Sequence, residues 1–484
     1  MVFLGIDVGS SSVKAQTIDN EGKRVEFASH DVSDLINRSQ PTWAARDPAA
    51  LWRAVCTLLR GMRSLGEVEV LSVAATSGSV LAVNEKLQPL SPILLYSDKR
   101  SQAEVRYVRE KSADAVAYEP FLPLDASLAT PKILWLKRNI QNFSEVQTVL
   151  NETDYIQARL SGEICTSPSI AGKAHVDVRS GRYLGKVFED IGISLTLLPR
   201  IQPIGHVVGR VTEPASLETG IPEEAEVANG LTDATAADLA SGVIAEGQVN
   251  LSIGTSLVAH AVTRAALPDY EKRIYHKSYV DGLFVAGGAT DAGTLPITNL
   301  ARFLGKSVQE LDGLAVEVPA GCDGLLAQPQ WIGSRIPFPN PNVRGFFVGL
   351  SERNLSAGHL QRSLLEGNAF VAKQVLDIVR DVTSLEPKEL RTSGGASSSD
   401  IQNQIIADVT GKPVTAVENA EASLGCAMLA FRSAKMKLPL SEIAALTVAA
   451  RRSFQPNQDT HALYRRMLPK FVSATSALYG NSQT

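Results

Sequence analysis

Cysteine is scarce: four residues (Cys56, Cys165, Cys322 and Cys426) are scattered through 484 positions. None has the paired spacing that a zinc site needs, and they read as buried thiols in a reducing compartment. An excess of one charge is also missing. With 47 basic against 51 acidic residues, a net charge of −4 and no basic tract, neither nucleic acid nor an anionic membrane is an expected partner. No apolar run is long enough to cross a bilayer, and the chain enters a strand within its first residues, leaving no room for a signal peptide. The expected location is the cytoplasm. What remains is an ordinary globular composition, 44% apolar and 20% charged, in a chain too long for one hydrophobic core and suited to two large domains or three small ones.

The stretch Phe3-Leu4-Gly5-Ile6-Asp7-Val8-Gly9-Ser10-Ser11-Ser12-Val13-Lys14 reads as two apolar strands joined by a turn. Its backbone N–H groups and hydroxyls can receive an anion there. Asp7 stands in an otherwise apolar strand, where a carboxylate costs solvation energy unless a cation or donors compensate it. A Mg²⁺ travelling with nucleotide phosphates would do so. About half a chain later, Val249-Asn250-Leu251-Ser252-Ile253-Gly254-Thr255-Ser256-Leu257-Val258 repeats the pattern, as an internal duplication would. Ser252 takes the place of Asp7, so only the first copy offers a metal-binding carboxylate. Neither copy is a Walker loop or a Gly-x-Gly-x-x-Gly dinucleotide loop.

Between and after these hairpins, strands alternate with helices, which predicts an α/β fold. A helix is expected over 48–63, capped by Asp47, and a β-branched strand over 68–75 that ends on Thr76-Ser77-Gly78, a position where α/β sheets bind ligands. Asp98, in Tyr96-Ser97-Asp98-Lys99-Arg100, either caps the helix that begins at Gln102 or faces a ligand. Trp135 is expected in the core, the stretch 153–183 is polar and Gly- and Ser-containing, and His175 is given no chemistry. The run Ala225 to Leu231 leads to Asp233 at the start of an Ala-rich helix, which makes it either a cap or a general base. Late in the chain Ser393-Gly394-Gly395-Ala396 joins a strand to the helix 401–410, where bare backbone can accept a flat ring or a phosphate. A small-residue helix, 422–431, is expected to pack beneath that turn.

Two hairpin loops, an Asp before the second and a late Gly-Gly turn resemble the FGGY carbohydrate kinases of the sugar kinase, actin and heat-shock chaperone superfamily. The likeness runs from Phe3 to about Phe431. The first family pattern is similar to 127–139, with Lys132 and Trp135 in place and Ala129 where Pro, Ser or Thr is usual. The second is similar to 345–366, with Gly349, His359 and Glu366 fitting and Leu364 departing from it.

The resemblance implies two ribonuclease-H-like domains flanking a catalytic cleft, 1–243 mainly for sugar and 244–484 mainly for ATP. It implies that Asp7 holds the nucleotide's Mg²⁺, directly or through water, and that Asp233 is the base. Ser10, Ser11, Lys14, Gly254, Thr255 and Ser256 would surround the phosphates, and Gly394, Gly395 and Asn403 would border the adenosine. Thr76, Ser77, Gly78, Asp98, Arg100 and Asp291 are sugar-pocket candidates alongside Asp233. The expected partners are therefore a small sugar, ATP and at most a second copy of the chain. Ser91 to Arg100 looks like a xylulokinase segment, whereas Thr76-Ser77-Gly78 stands where xylulokinases carry Met-His-Gly and is closer to ribulose kinases. A ketopentose is the substrate expected first, with other sugars or polyols such as glycerol or a tetritol as alternatives. A non-sugar actin-like ATPase and a regulatory pseudokinase are the other readings.

Overall fold

The computed structural model describes residues 1–435 and 438–480. The chain divides into two compact units. One comprises Met1–Ile244, Lys277–Phe284 and Glu421–Val448; the other comprises Ala245–His276, Val285–Ala420 and Ala449–Thr484.

The first unit is built on strands β1 (Val2–Val8), β2 (Ser12–Asp19), β3 (Arg24–Asp31), β4 (Val68–Ala75), β5 (Val207–Arg210) and β6 (Glu226–Thr232), in the sheet order β5-β6-β4-β1-β2-β3. β1 pairs antiparallel with β2 and parallel with β4, which is in turn parallel to β6. Every residue of β1 is buried because both faces of this central strand are covered. Side chains alternate between the faces. Leu4, Ile6 and Val8 enter a core with Leu51, Val55 and Leu59 of the helix Pro48–Arg60. On the other face Phe3 stacks on Phe431, ring centroids 4.6 Å apart, and a Cβ on Gly5 would lie 1.9 Å from the Ser423 carbonyl oxygen.

That second face is closed by the helix Ala422–Ala434. Expected beneath the Gly394 turn, it packs instead in the first unit, against β1, β4 and the helix Asp233–Ala240. Its small residues let backbones approach so closely that a Cβ on Gly425 would lie 1.9 Å from the Ala236 carbonyl oxygen. Neither atom is the end of a flexible side chain, so the strain falls on helix positions. Gly425→Ala is therefore expected to destabilise the protein by about 1–3 kcal/mol, read as a lower urea midpoint at unchanged m. Gly66, with open space around it, is the control. Equal midpoints for Gly425→Ala and Gly66→Ala would remove the tight contact.

The second unit repeats the same pairings. β7 (Gln248–Ile253) pairs antiparallel with β8 (Leu257–Thr263) and parallel with β9 (Glu389–Ser393). β10 (Val414–Val417) follows in parallel and β11 (Ala450–Phe454) antiparallel. In register, Ser252 occupies in β7 the place that Asp7 has in β1, one residue before the last pair of each hairpin. Two copies of one topology are thus visible, and the mixed α/β, two-domain expectation holds.

Local readings differ in four places. Ser101, not Asp98, precedes the helix Gln102–Lys111 as its cap. The stretch 153–183 includes most of a helix, Glu152–Ser161, with a reciprocal cap between Asn151 and Asp154. Trp135 is half-buried rather than core, and the Arg100 guanidinium lies over both it and Trp43, 5.1 and 3.8 Å from the ring centroids. The run 344–349 reads in the sequence as a strand, yet only Phe347–Val348 pairs. All four cysteines are buried free thiols.

Candidate active site

β1, β4 and β6 are adjacent and parallel, so their carboxyl ends share one edge of the first sheet, where open α/β sheets place ligands. The three turns singled out in the sequence leave from that edge. The β1–β2 turn is closed by the Gly9 N–H donating to the Ser12 carbonyl at 2.9 Å, with Ser10 half-buried and Ser11 exposed on it. Thr76-Ser77-Gly78 follows β4, and Gly78 has φ +85° because its backbone lies against Ser127 and the Lys173 side chain. Lys173 Nζ donates to the Ser77 carbonyl at 3.2 Å and to Ser127 Oγ at 3.3 Å.

Asp233 follows β6 as the first residue of the helix Asp233–Ala240 and is half-buried. Its Oδ1 accepts from the Ala234 N–H at 2.7 Å. The helix is held from behind by the Gly425 contact, so the carboxylate's position is set by segments far apart in sequence.

Asp7 is buried, and its Oδ1 has no hydrogen-bond partner. Burial, reinforced by the charges of Asp233 and Glu421 and opposed by Lys14, pushes its carboxyl up to about 7. An orphaned buried carboxylate oxygen facing further negative charge fits a cation. Among the described residues no three His, Cys, Asp or Glu could hold a metal by themselves. A metal here would take its other ligands from phosphate and water, as Mg²⁺ characteristically does. Lys14, expected near the phosphates, is ion-paired with Glu421.

Asp98 and Arg100 satisfy each other. Arg100 Nη2 donates to Asp98 Oδ2 at 2.7 Å, and the same oxygen accepts from the Ala44 N–H at 2.7 Å. Two residues that carried no sequence signal stand behind these turns: Arg46 and Glu152, both fully buried and ion-paired. Burial raises the Glu152 carboxyl against the pull of Arg46, and the charge of Asp233 pushes it the same way. Lys132, part of the first family pattern, is buried with its ammonium on the Ala126 and Leu128 carbonyls, and burial pulls it down to about 7. It fastens the 126–128 loop.

In the second unit the β7–β8 turn is closed by the Gly254 N–H donating to the Ser256 carbonyl at 3.0 Å. Thr255 is exposed, and Ser256 Oγ accepts from Arg335 Nη2 at 3.2 Å. Asp291 lies in this unit, paired with Arg335 at 2.8 Å, and not with Thr76 and Asp98 in the first. Gly293, at φ +137°, rests against the Gly254 and Thr255 carbonyls and exchanges hydrogen bonds with Asn368 of the helix Ala357–Thr383.

After β9, Gly394 has φ +80° and lies against Ile253, while Gly395 is open on its side-chain face. Asn403 does not face open space. It accepts from Thr392 Oγ1 and donates to the Ser397 carbonyl, bracing the turn. Beside the turn is a cavity of about 600 Å³ lined by Ile297, Val308, Asp312, Gly395, Ala396 and Gln402 among others. Its size suits a nucleoside, with the apolar Ile297, Val308, Leu365 and Ala396 for a ring and polar side chains such as Asp312, Ser399 and Gln402 for hydrogen bonds.

Comparison with known proteins gives the same picture. The chain is 26% identical to a xylulose kinase of Klebsiella pneumoniae over 85% of both chains. It is 23% identical to a gluconokinase of Bacillus subtilis over 98% of this chain and 96% of that one. The solved xylulose kinase of Rhodospirillum rubrum superposes with a TM-score of 0.89 over 99% of both chains at 26% identity. Residues 2–240 match the N-terminal domain of the FGGY family of carbohydrate kinases, and residues 249–434 match its C-terminal domain. With both domains matched over most of its length, and the family's two-fold repeat and glycine turns in place, the chain belongs to the FGGY family of carbohydrate kinases.

Proposed function

We propose that this carbohydrate kinase transfers the γ-phosphoryl of ATP to a hydroxyl of a ketopentose, D-xylulose or D-ribulose. The observation that carries the reading is the convergence of Asp7, the Thr76 turn and Asp233 at the ends of three neighbouring parallel strands. Asp233 is read as the base that accepts the hydroxyl proton. Ser10, Ser11 and the β1–β2 turn amides, with Gly254, Thr255 and Ser256 of the second hairpin, are read as phosphate contacts. Gly394, Gly395 and the adjoining cavity are read as the adenosine site, with Asn403 as its brace. Asp7 would hold Mg²⁺, directly or through water, and the metal would supply neutralisation of charge at the transferring phosphoryl. Lys14 balances the carboxylates around Asp7 through Glu421. Thr76, Ser77 and Gly78 are read as the sugar side, with Asp98 and Arg100 as a rigid wall, and Asp291 acts through Arg335 on Ser256. The proposed setting is the cytoplasm, with sugar and ATP as small-molecule partners and at most a second copy of the chain.

An aldonate is the second reading, because one relative is a gluconokinase and the Lys173 ammonium lies on the Ser77 carbonyl of the proposed sugar turn. ADP release should be screened with D-xylulose, D-ribulose, gluconate, glycerol and erythritol. A ketopentose is expected to lead in kcat/KM by about tenfold or more, the order of discrimination that a few hydroxyl contacts supply. A lead for gluconate would replace the ketopentose by the aldonate, and no release with any of the five would overturn both.

A further inference from the structure

Behind the proposed phosphate and sugar turns runs a buried polar chain for which phosphoryl transfer itself has no direct use. Arg46 Nη1 donates to the Gly9 carbonyl at 2.9 Å, and Arg46 Nε donates to Glu152 Oε1 at 2.6 Å. The other carboxylate oxygen, Oε2, accepts from Thr76 Oγ1 at 3.0 Å. The Thr76 and Ser79 hydroxyls are 2.7 Å apart, and Ser79 Oγ accepts from the Tyr96 N–H at 3.1 Å. A hydroxyl has one proton to give. Thr76 spends its proton on the carboxylate, so Ser79 donates to Thr76 and keeps its lone pair for Tyr96. The chain therefore has one direction: Tyr96 to Ser79 to Thr76 to Glu152, with Arg46 donating both to Glu152 and to Gly9.

Stability alone is a weak reason for this arrangement. A buried ion pair is often matched or bettered by apolar residues of the same volume, and this one is enclosed on all sides. What the pair provides is rigid geometry between three loops that local sequence does not hold: the Gly9 turn, the Thr76–Ser79 turn and the segment at Tyr96. We propose that Arg46 and Glu152 form a positioning pair that makes the Gly9 turn and the Thr76–Ser79 turn one mechanical unit, so that sugar on one orders the other for the metal nucleotide. The proposal rests on the assignment of those turns to phosphate and sugar made above.

Spatial continuity is not coupling, so coupling has to be measured. The informative variant is Glu152→Gln in the full chain, which replaces one of the two carboxylate oxygens that accept from Arg46 and Thr76 by a donor amide and so cuts the link between the turns. Ser79→Ala removes only the branch to Tyr96 and is the control. The first readout is the calorimetric Kd of a non-hydrolysable ATP analogue with Mg²⁺, with and without saturating D-xylulose. D-xylulose is expected to tighten wild-type binding by a factor within the usual allosteric range of about 5–150; the Glu152→Gln factor is expected to fall to about 1–2, and the Ser79→Ala factor to stay near wild type. Each ligand alone should bind within about threefold of wild type, a split that general loss of structure would not give.

The second readout needs no sugar. Hydrogen exchange at the amides of residues 9–12 is expected to quicken by about tenfold in Glu152→Gln and to stay unchanged in Ser79→Ala, with other protected amides unchanged in both. Wild-type coupling retained in Glu152→Gln would overturn the proposal. So would unchanged exchange at residues 9–12 in Glu152→Gln, whatever the sugar. If wild type shows no response to D-xylulose while exchange at 9–12 quickens as stated, the sugar assignment fails and the positioning pair stands.

Discussion

Asp233→Asn is expected to lower kcat by about 10²–10⁴, the range over which a positioned general base contributes, with a far smaller change in KM for the sugar. Asparagine fills the same space and can accept the bond from the Ala234 N–H that orients Oδ1, but it cannot take up the proton of the attacking hydroxyl. The loss therefore belongs to the chemical step. Asp233 stands at the first turn of a short helix whose register is fixed by the Gly425–Ala236 contact, so the folded structure should tolerate the change, and the thermal midpoint serves as the control. Coupled ADP release at saturating ATP and sugar is the measurement. A kcat within tenfold of wild type at an unchanged midpoint would remove Asp233 from the role.

Asp7→Asn is expected to act in opposite directions on stability and on metal use. In the ligand-free protein the Asp7 carboxyl titrates near 7 instead of its ordinary 3.8, because burial and the neighbouring Asp233 favour its neutral form. The folded state therefore binds more protons than the unfolded chain between these two values. By linkage, stability is highest below about pH 4 as far as this group is concerned, and falls as pH rises through 7. At pH 8 the ionised Asp7 opposes folding by an amount on the order of 2–4 kcal/mol, which the neutral asparagine avoids. The variant should therefore melt at a higher temperature than wild type at pH 8 without ligand, and the difference should shrink toward pH 5. Metal use should move the other way: the Mg²⁺ concentration for half-maximal activity is expected to rise by about 10–100-fold. A variant less stable than wild type at pH 8, or one with unaltered Mg²⁺ dependence, would contradict the reading of Asp7 as a carboxylate strained for the sake of a cation.

Much of this was legible because it is local. The hairpin at Gly9, the apolar run 68–75 with its polar turn and the cap at Asp47 follow from periodicity and turn chemistry within a dozen residues. The duplicated pairing is legible for the same reason, since each half spells out its own hairpin. Asp98 reads from sequence as either a cap or a ligand-facing residue, because an Asp before a polar helix resembles a cap, and only the fold brings the Ala44 N–H to it. Asn403 enters only through the family resemblance, as a residue bordering the adenosine, and the fold alone shows that its amide is bonded to Thr392 and Ser397.

By itself, then, the sequence determined the two-fold α/β plan, the turns proposed to receive ligands and the acidic residues beside them, since strand alternation, glycine turns and caps are properties of neighbouring residues. The tertiary structure alone decided that the helix Ala422–Ala434 closes over β1, and that Arg46 meets Glu152 across 106 positions of chain. It also decided that Lys14 spends its charge on Glu421. Such partnerships depend on which distant segments pack together, and a buried charge carries no periodicity from which its partner can be read.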